Sequence, residues 1–106
     1  MSKKDAPKFF RKFIERFPQV AERYEALGNE VHGQGPLNER ERALIKLAIS
    51  GSAGLESAFK VHVRKAHKLG VCREEMEHVA LLLLPTRGFP VMMKAMRLID
   101  EEFDID

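Results

Sequence analysis

Apolar residues recur along this chain at steps of three and four, never alternating over a useful length, so the pattern predicts helices and no sheet. Phe9, Phe10, Phe13, Ile14 and Phe17 mark one face of a first helix, which Asp5 can cap and whose first turn tolerates Pro7. Pro18 lacks an N–H and clashes with the turn before it, so it stops that helix and can open a second. The second carries Val20, Tyr24, Leu27 and Val31 on one side and ends in the breaker cluster HGQGP, residues 32–36. Asn38 and Glu41 stand at capping-box spacing ahead of a third helix. Ala43, Leu44, Leu47 and Ala48 line its buried stripe, and Ile45 and Ile49 widen it. The run SGSAG, residues 50–54, ends or interrupts it. A fourth helix spans about residues 55–69, with Gly70 as its left-handed stop. A fifth starts near Cys72 or Arg73 and runs to Pro85; TRGFP, residues 86–90, makes a turn. The last helix, about residues 90–103, presents Val91, Met92, Ala95, Met96 and Ile99, its methionines reading as core filling. The expected fold is all-α: one domain, residues 1–106, a bundle of about six helices.

Two segments depart from a simple amphipathic pattern. Leu81 to Leu84 is apolar around most of a helical turn, which in so small a domain implies burial on two sides, at a subunit interface or in a central helix. On the fourth helix, Leu55, Phe59, His62, Ala66 and Leu69 form a seam with a histidine in its middle. A histidine there must find hydrogen-bond partners, and burial favours its neutral, proton-accepting form. Two readings stay open: a satisfied core histidine, or a functional acid/base. Lys60, Arg64 and Lys68 form a separate stripe that reads as a solvated face. Glu56 lies six residues before His62, about 240° around the helix, so the two do not stack on it. They border one cleft only if a neighbouring helix lies across both; otherwise Glu56 favours the helix dipole and pairs with Lys60.

Composition narrows the classes. The 106 residues are 44% hydrophobic and 32% charged, as in a soluble globular protein, and no apolar run approaches the ~20 residues of a membrane span. The start, MSKKDAPKFF, lacks the apolar stretch of a signal peptide, and a single cysteine, Cys72, fits a reducing, cytoplasmic setting. One cysteine excludes an internal disulfide and any zinc site needing several thiolates. The net charge of +2 does not indicate nucleic acid, and the basic stripe lacks interleaved aromatics. Basic residues crowd the start and acidic ones the end (Asp100, Glu101, Glu102, Asp104, Asp106), so the two ends are solvated or meet one another.

The segments RALIKLAIS, ESAFKVHVRKAHKLGV, EEM and GFP, falling in that order between Leu37 and Pro90, resemble the carboxymuconolactone decarboxylase family, which includes the alkylhydroperoxidase-D-like proteins. The resemblance implies an all-helical domain that assembles as a homo-oligomer, a trimer or hexamer. The family's redox branch carries C-x-x-C-x-x-x-H on the fourth helix and a glutamate upstream. Here the cysteine positions hold Leu55 and Ala58, the glutamate position Ala43, and only His62 matches. Thiol peroxidase chemistry needs a nucleophilic and a resolving thiol, so that activity is implied by family alone and opposed by these residues. The decarboxylase branch, which uses no metal or organic cofactor, is closer: its E-x-x-x-x-x-H spacing matches Glu56 and His62, its arginine Arg42, and its glycine–apolar–proline turn Gly88, Phe89 and Pro90. Thr86 and Arg87 stand where a tyrosine is common. The implied activity is a lyase or isomerase acting on a small carboxylated lactone or organic acid. In it His62 and Glu56 are the candidate catalytic residues, and Arg42 and Arg87 the candidate carboxylate anchors. A non-catalytic oligomeric scaffold is the alternative.

Overall fold

The computed structural model describes residues 8–103, which form helices joined by short turns, with no strand among them. The chain divides into two units, residues 1–37 and 38–106. In the first, α1 (Lys8–Arg16) and α2 (Pro18–His32) form a helical hairpin. Pro18 takes the first helical position of α2, where its missing N–H costs nothing. Phe10 meets Phe13 edge-on and lies 6.5 Å from the Tyr24 ring, tying the helices together. Neither helix has a buried residue. The expected cap at Asp5 and Pro7 lies outside the described residues.

The second unit holds α3 (Glu39–Ser52), α4 (Glu56–Lys68), α5 (Arg73–Leu81), the single turn α6 (Leu84–Arg87) and α7 (Phe89–Phe103). Asn38 caps α3 as expected: its Oδ1 accepts from Glu41 N–H at 2.8 Å, and its own N–H donates to Glu41 Oε1 at 2.9 Å. Both α3 and α4 end in the same device. Leu55 N–H reaches back to the Ser50 carbonyl and Val71 N–H to that of Ala66, each at 3.0 Å. The residues before them, Gly54 (φ +69°) and Gly70 (φ +88°), take the left-handed conformation that the device requires. Helices α3, α4, α5 and α7 share one core, in which Leu47, Phe59, Val63, Met76 and Ile99 are almost fully enclosed. Each such side chain contributes about 1.5–3 kcal/mol of burial.

The run at residues 50–54 ends α3 as expected: the helix closes at Ser52, and the Ser50 hydroxyl is satisfied in its last turn by donating to the Lys46 carbonyl at 2.8 Å. Two expectations change. The fifth helix does not reach Pro85: α5 stops at Leu81, since the Pro85 ring can neither bond nor clear the carbonyl four residues back. Leu83 then turns into the core, while Leu81, Leu82 and Leu84 are exposed. The turn expected at 86–90 shrinks to Gly88 (φ +95°), because Thr86 and Arg87 belong to α6 and Phe89 and Pro90 open α7.

Candidate functional site

The buried stripe of α4 is Phe59, Val63 and Ala66; Leu55 and Leu69, expected to extend it, are exposed caps at its two ends. At ~100° per residue, His62 lies about 60° to one side of Phe59. It is half-buried rather than enclosed. Lys65, one turn on, shares that flank and is also half-buried. Helix α3 meets this flank, as the electrostatics of Lys46 record. Burial, then Lys65, then Arg42 hold the Lys46 ammonium below its usual pKa. Lys65 of α4 and Arg42 of α3 therefore both act on Lys46, and His62 precedes Lys65 by one turn on α4. Arg42 was legible in the sequence; Lys46 and Lys65 were not singled out. Their signal was there in spacing: Arg42 and Lys46 are a like-charged i,i+4 pair, unfavourable in an isolated helix, and Lys65 follows His62 by three.

Glu56 stands on the opposite flank. Its Oε1 lies 3.7 Å from Arg97 Nη2 on α7, in place of the expected pair with Lys60. The Lys60/Arg64 stripe is not a bare solvated face either: Lys60 pairs with Glu101 at 3.3 Å and Arg64 with Glu102 at 3.7 Å, fastening α4 to α7. Arg73 pairs with Asp100. The described acidic residues near the chain's end are therefore engaged by α4, α5 and α7.

Arg87 lies on the other side of α3, its Nε donating to the Ser52 carbonyl at 3.2 Å. Lys94 Nζ donates to the Gly54 carbonyl at 3.2 Å, so two cations sit at the negative end of the α3 dipole. Arg87 also lines an open groove of about 860 Å³ between α3 and the α5–α6 segment, with walls of Leu44, Ile45, Ala48, Ile49, Val79 and Leu82. Glu75 and His78 complete its rim, whereas His62, Arg42 and Glu56 are not among its lining residues. The Arg40 guanidinium, then the Cys72 N–H, hold the Glu75 carboxyl down at about 2. Cys72 is exposed at the start of α5. Among the described residues no group of side chains could hold a metal ion, and no helix is long and apolar enough to cross a membrane.

Of the four residues singled out for chemistry, His62 is half-buried on α4 and Arg42 half-buried on α3. Glu56 turns toward α7, and Arg87 lies at the groove between α3 and the α5–α6 segment. The profile of the carboxymuconolactone decarboxylase family matches residues 18–101, across both units. Two proteins of Methanocaldococcus jannaschii are similar. The uncharacterized protein MJ0742 is 28% identical over 88 residues, 82% of this chain and 85% of its own length. The uncharacterized protein MJ1511 is 32% identical over 81 residues, 74% of this chain and 76% of its own.

Proposed function

Within the carboxymuconolactone decarboxylase family, to which this chain belongs, we propose a cofactor-independent lyase or isomerase acting on a small carboxylated lactone or related organic acid at the α3–α4 flank. What supports this reading is that Lys65 of α4 and Arg42 of α3 both act on the Lys46 ammonium, with the half-buried His62 imidazole one turn before Lys65 on α4. Basic side chains on a partly desolvated flank raise the local concentration of small anions. Arg42 offers the planar fork suited to a carboxylate, and the two lysines offer point charges.

In this reading, decarboxylation runs as follows. The substrate carboxylate is held at Arg42. Its C–C bond breaks as CO2 leaves, and the electron pair moves into the conjugated lactone carbonyl. The resulting enolate oxygen is met by the lysine ammonium groups. The bound carboxylate favours the charged ring, so His62 takes a proton from water and then, as imidazolium, gives it to the carbon that lost CO2, returning to the neutral form. An isomerisation needs the same group twice, to take a proton from one carbon and return it to another. Glu56 then has a structural part, pairing with Arg97. A thiol peroxidase is disfavoured by the single cysteine, which leaves an attacking thiolate without a resolving partner.

The test is CO2 release from a carboxylated muconolactone. His62→Ala should lower kcat about 10²–10⁴-fold with little change in KM. Arg42→Met should raise KM about 10- to 150-fold, the loss of a charged hydrogen bond. A folded His62→Ala protein with wild-type turnover would remove the imidazole from the chemistry. A wild-type protein inert toward carboxylated lactones and acids would leave the scaffold reading.

A further inference from the structure

The hairpin of α3 and α4 decides which side chains share one flank. A turn at residues 53–55 joins the two helices, so they run antiparallel. A Cβ at Gly51 would stand 3.0 Å from Cε1 of Phe59, which fixes the register. Counting back from Gly51 and forward from Phe59, at an equal rise of about 1.5 Å per residue, puts Lys46 level with Arg64 and Lys65. Glu56, Lys60 and Arg64 pair with α7, which leaves Lys65, and His62 one turn before it, on the flank of α4 toward α3. Lys46 is half-buried, and Arg42 stands one turn before it on the same side of α3. We propose, resting on the carboxylate reading of this flank, that Lys46 is a nucleophile. Its amine condenses with the ketone of a small 3-oxo acid whose carboxylate Arg42 holds, and CO2 leaves from the resulting imine.

The surroundings single out Lys46 among lysines. Two other half-buried lysines of this unit are held as ammonium: Lys60 pairs with Glu101 at 3.3 Å, and Lys94 donates to the Gly54 carbonyl at 3.2 Å. Lys46 instead has cations on both helices. Burial, then Lys65, then Arg42 keep more of its amine uncharged than in an ordinary lysine, and only the uncharged amine attacks a carbonyl. Arg42 and Lys46 start about 6 Å apart along the helix axis, and both side chains are long enough to converge on one small molecule. The Nζ lone pair forms the C–N bond. The ketone oxygen leaves as water, taking one proton from the amine and one from the His62 imidazolium, and a positively charged imine remains. The C–C bond to the carboxylate then breaks, CO2 leaves, and the electron pair moves toward the imine nitrogen to give an enamine. The enamine carbon takes a proton from His62, recharged by solvent. Water then displaces the amine, releasing a ketone and Lys46, with one solvent proton consumed per turnover.

The experiment is reductive capture: the full chain is incubated with acetoacetate and sodium cyanoborohydride, and the product is mapped by peptide mass spectrometry. Capture should saturate with acetoacetate and fall on Lys46, as an isopropyl group where CO2 has left before reduction. Arg42→Met should need about 10-fold more acetoacetate for half-maximal capture. Lys46→Arg, which keeps the charge, should lose both the adduct and acetoacetate decarboxylation with helical circular dichroism unchanged. Lys46→Cys in a Cys72→Ser background, alkylated with 2-bromoethylamine, regains a side-chain amine and should regain CO2 release, which a role for charge alone does not explain. Four results would overturn the proposal: no adduct, adducts on exposed Lys8, Lys12 or Lys68, an adduct on Lys65 in place of Lys46, or decarboxylation that survives Lys46→Arg. Capture on Lys46 in a chain inert to carboxylated lactones supports the imine and removes the lactone as substrate. Lactone turnover with Lys46 uncaptured overturns the imine and leaves the proposed lyase standing.

Discussion

Gly51 shows how much one hydrogen can decide. It lies in the last turn of α3, and a Cβ there would stand 3.0 Å from Cε1 and 3.2 Å from Cδ1 of Phe59, and 3.4 Å from Cδ1 of Leu83. Phe59 is 1% exposed and has no room to retreat. Gly51→Ala gains up to about 1 kcal/mol of helix propensity but incurs about 1–3 kcal/mol of overpacking. The variant should therefore lose about 1 kcal/mol, measured as a lower urea midpoint at unchanged slope. His62 poses the opposite case. The three-and-four spacing put it in the apolar seam, and the structure sets it half-buried at the seam's edge. Spacing resolves a helix face only to within a residue or so. The exposure of its borders depends on how closely the next helix packs.

Between elements, the carboxylate of Glu75 does two jobs at once. It accepts from the Cys72 N–H at 3.0 Å, closing the first turn of α5, and it pairs with Arg40 of α3. Arg40 and the Cys72 N–H hold it down at about 2, from an ordinary 4.5. A carboxyl depressed by folding adds stability that is complete above the unfolded value and is lost as pH falls through the folded one. Stability should thus decline between about pH 4.5 and 2 in the wild type, and Glu75→Gln should flatten that part of the profile in urea titrations at a series of pH values. The Asn38 cap, the Gly70 stop and the opening of α2 at Pro18 were all legible, because each is a local rule written in two or three residues. The break between α5 and α6 was encoded as well, in Pro85, yet the four leucines before it read as one continuous helix. Leu83 belongs to the core and its neighbours to the surface, a distinction made by tertiary contacts. The cross-helix pairs Lys60–Glu101 and Glu56–Arg97 were out of reach for the same reason: side chains some forty residues apart have no local signature.

In the second unit, two faces of α3 carry different side chains. Toward α4, Arg42 and Lys65 act on Lys46, and toward α5–α6 an apolar groove is rimmed by Glu75, His78 and Arg87. The family resemblance was visible in ordered segments, and the family profile covers residues 18–101. The cation cluster was visible only in part, since it joins residues from two helices. The central claim is that this cluster holds a small carboxylate against the imidazole of His62. The most direct test is to follow the His62 ring by two-dimensional ¹H–¹⁵N NMR while adding a carboxylated muconolactone. The account predicts a saturable shift of the His62 ring signals that Arg42→Met weakens about 10-fold or more, with His67 and His78 unmoved. A His62 ring that stays in place at millimolar ligand, in a protein otherwise folded, would contradict it.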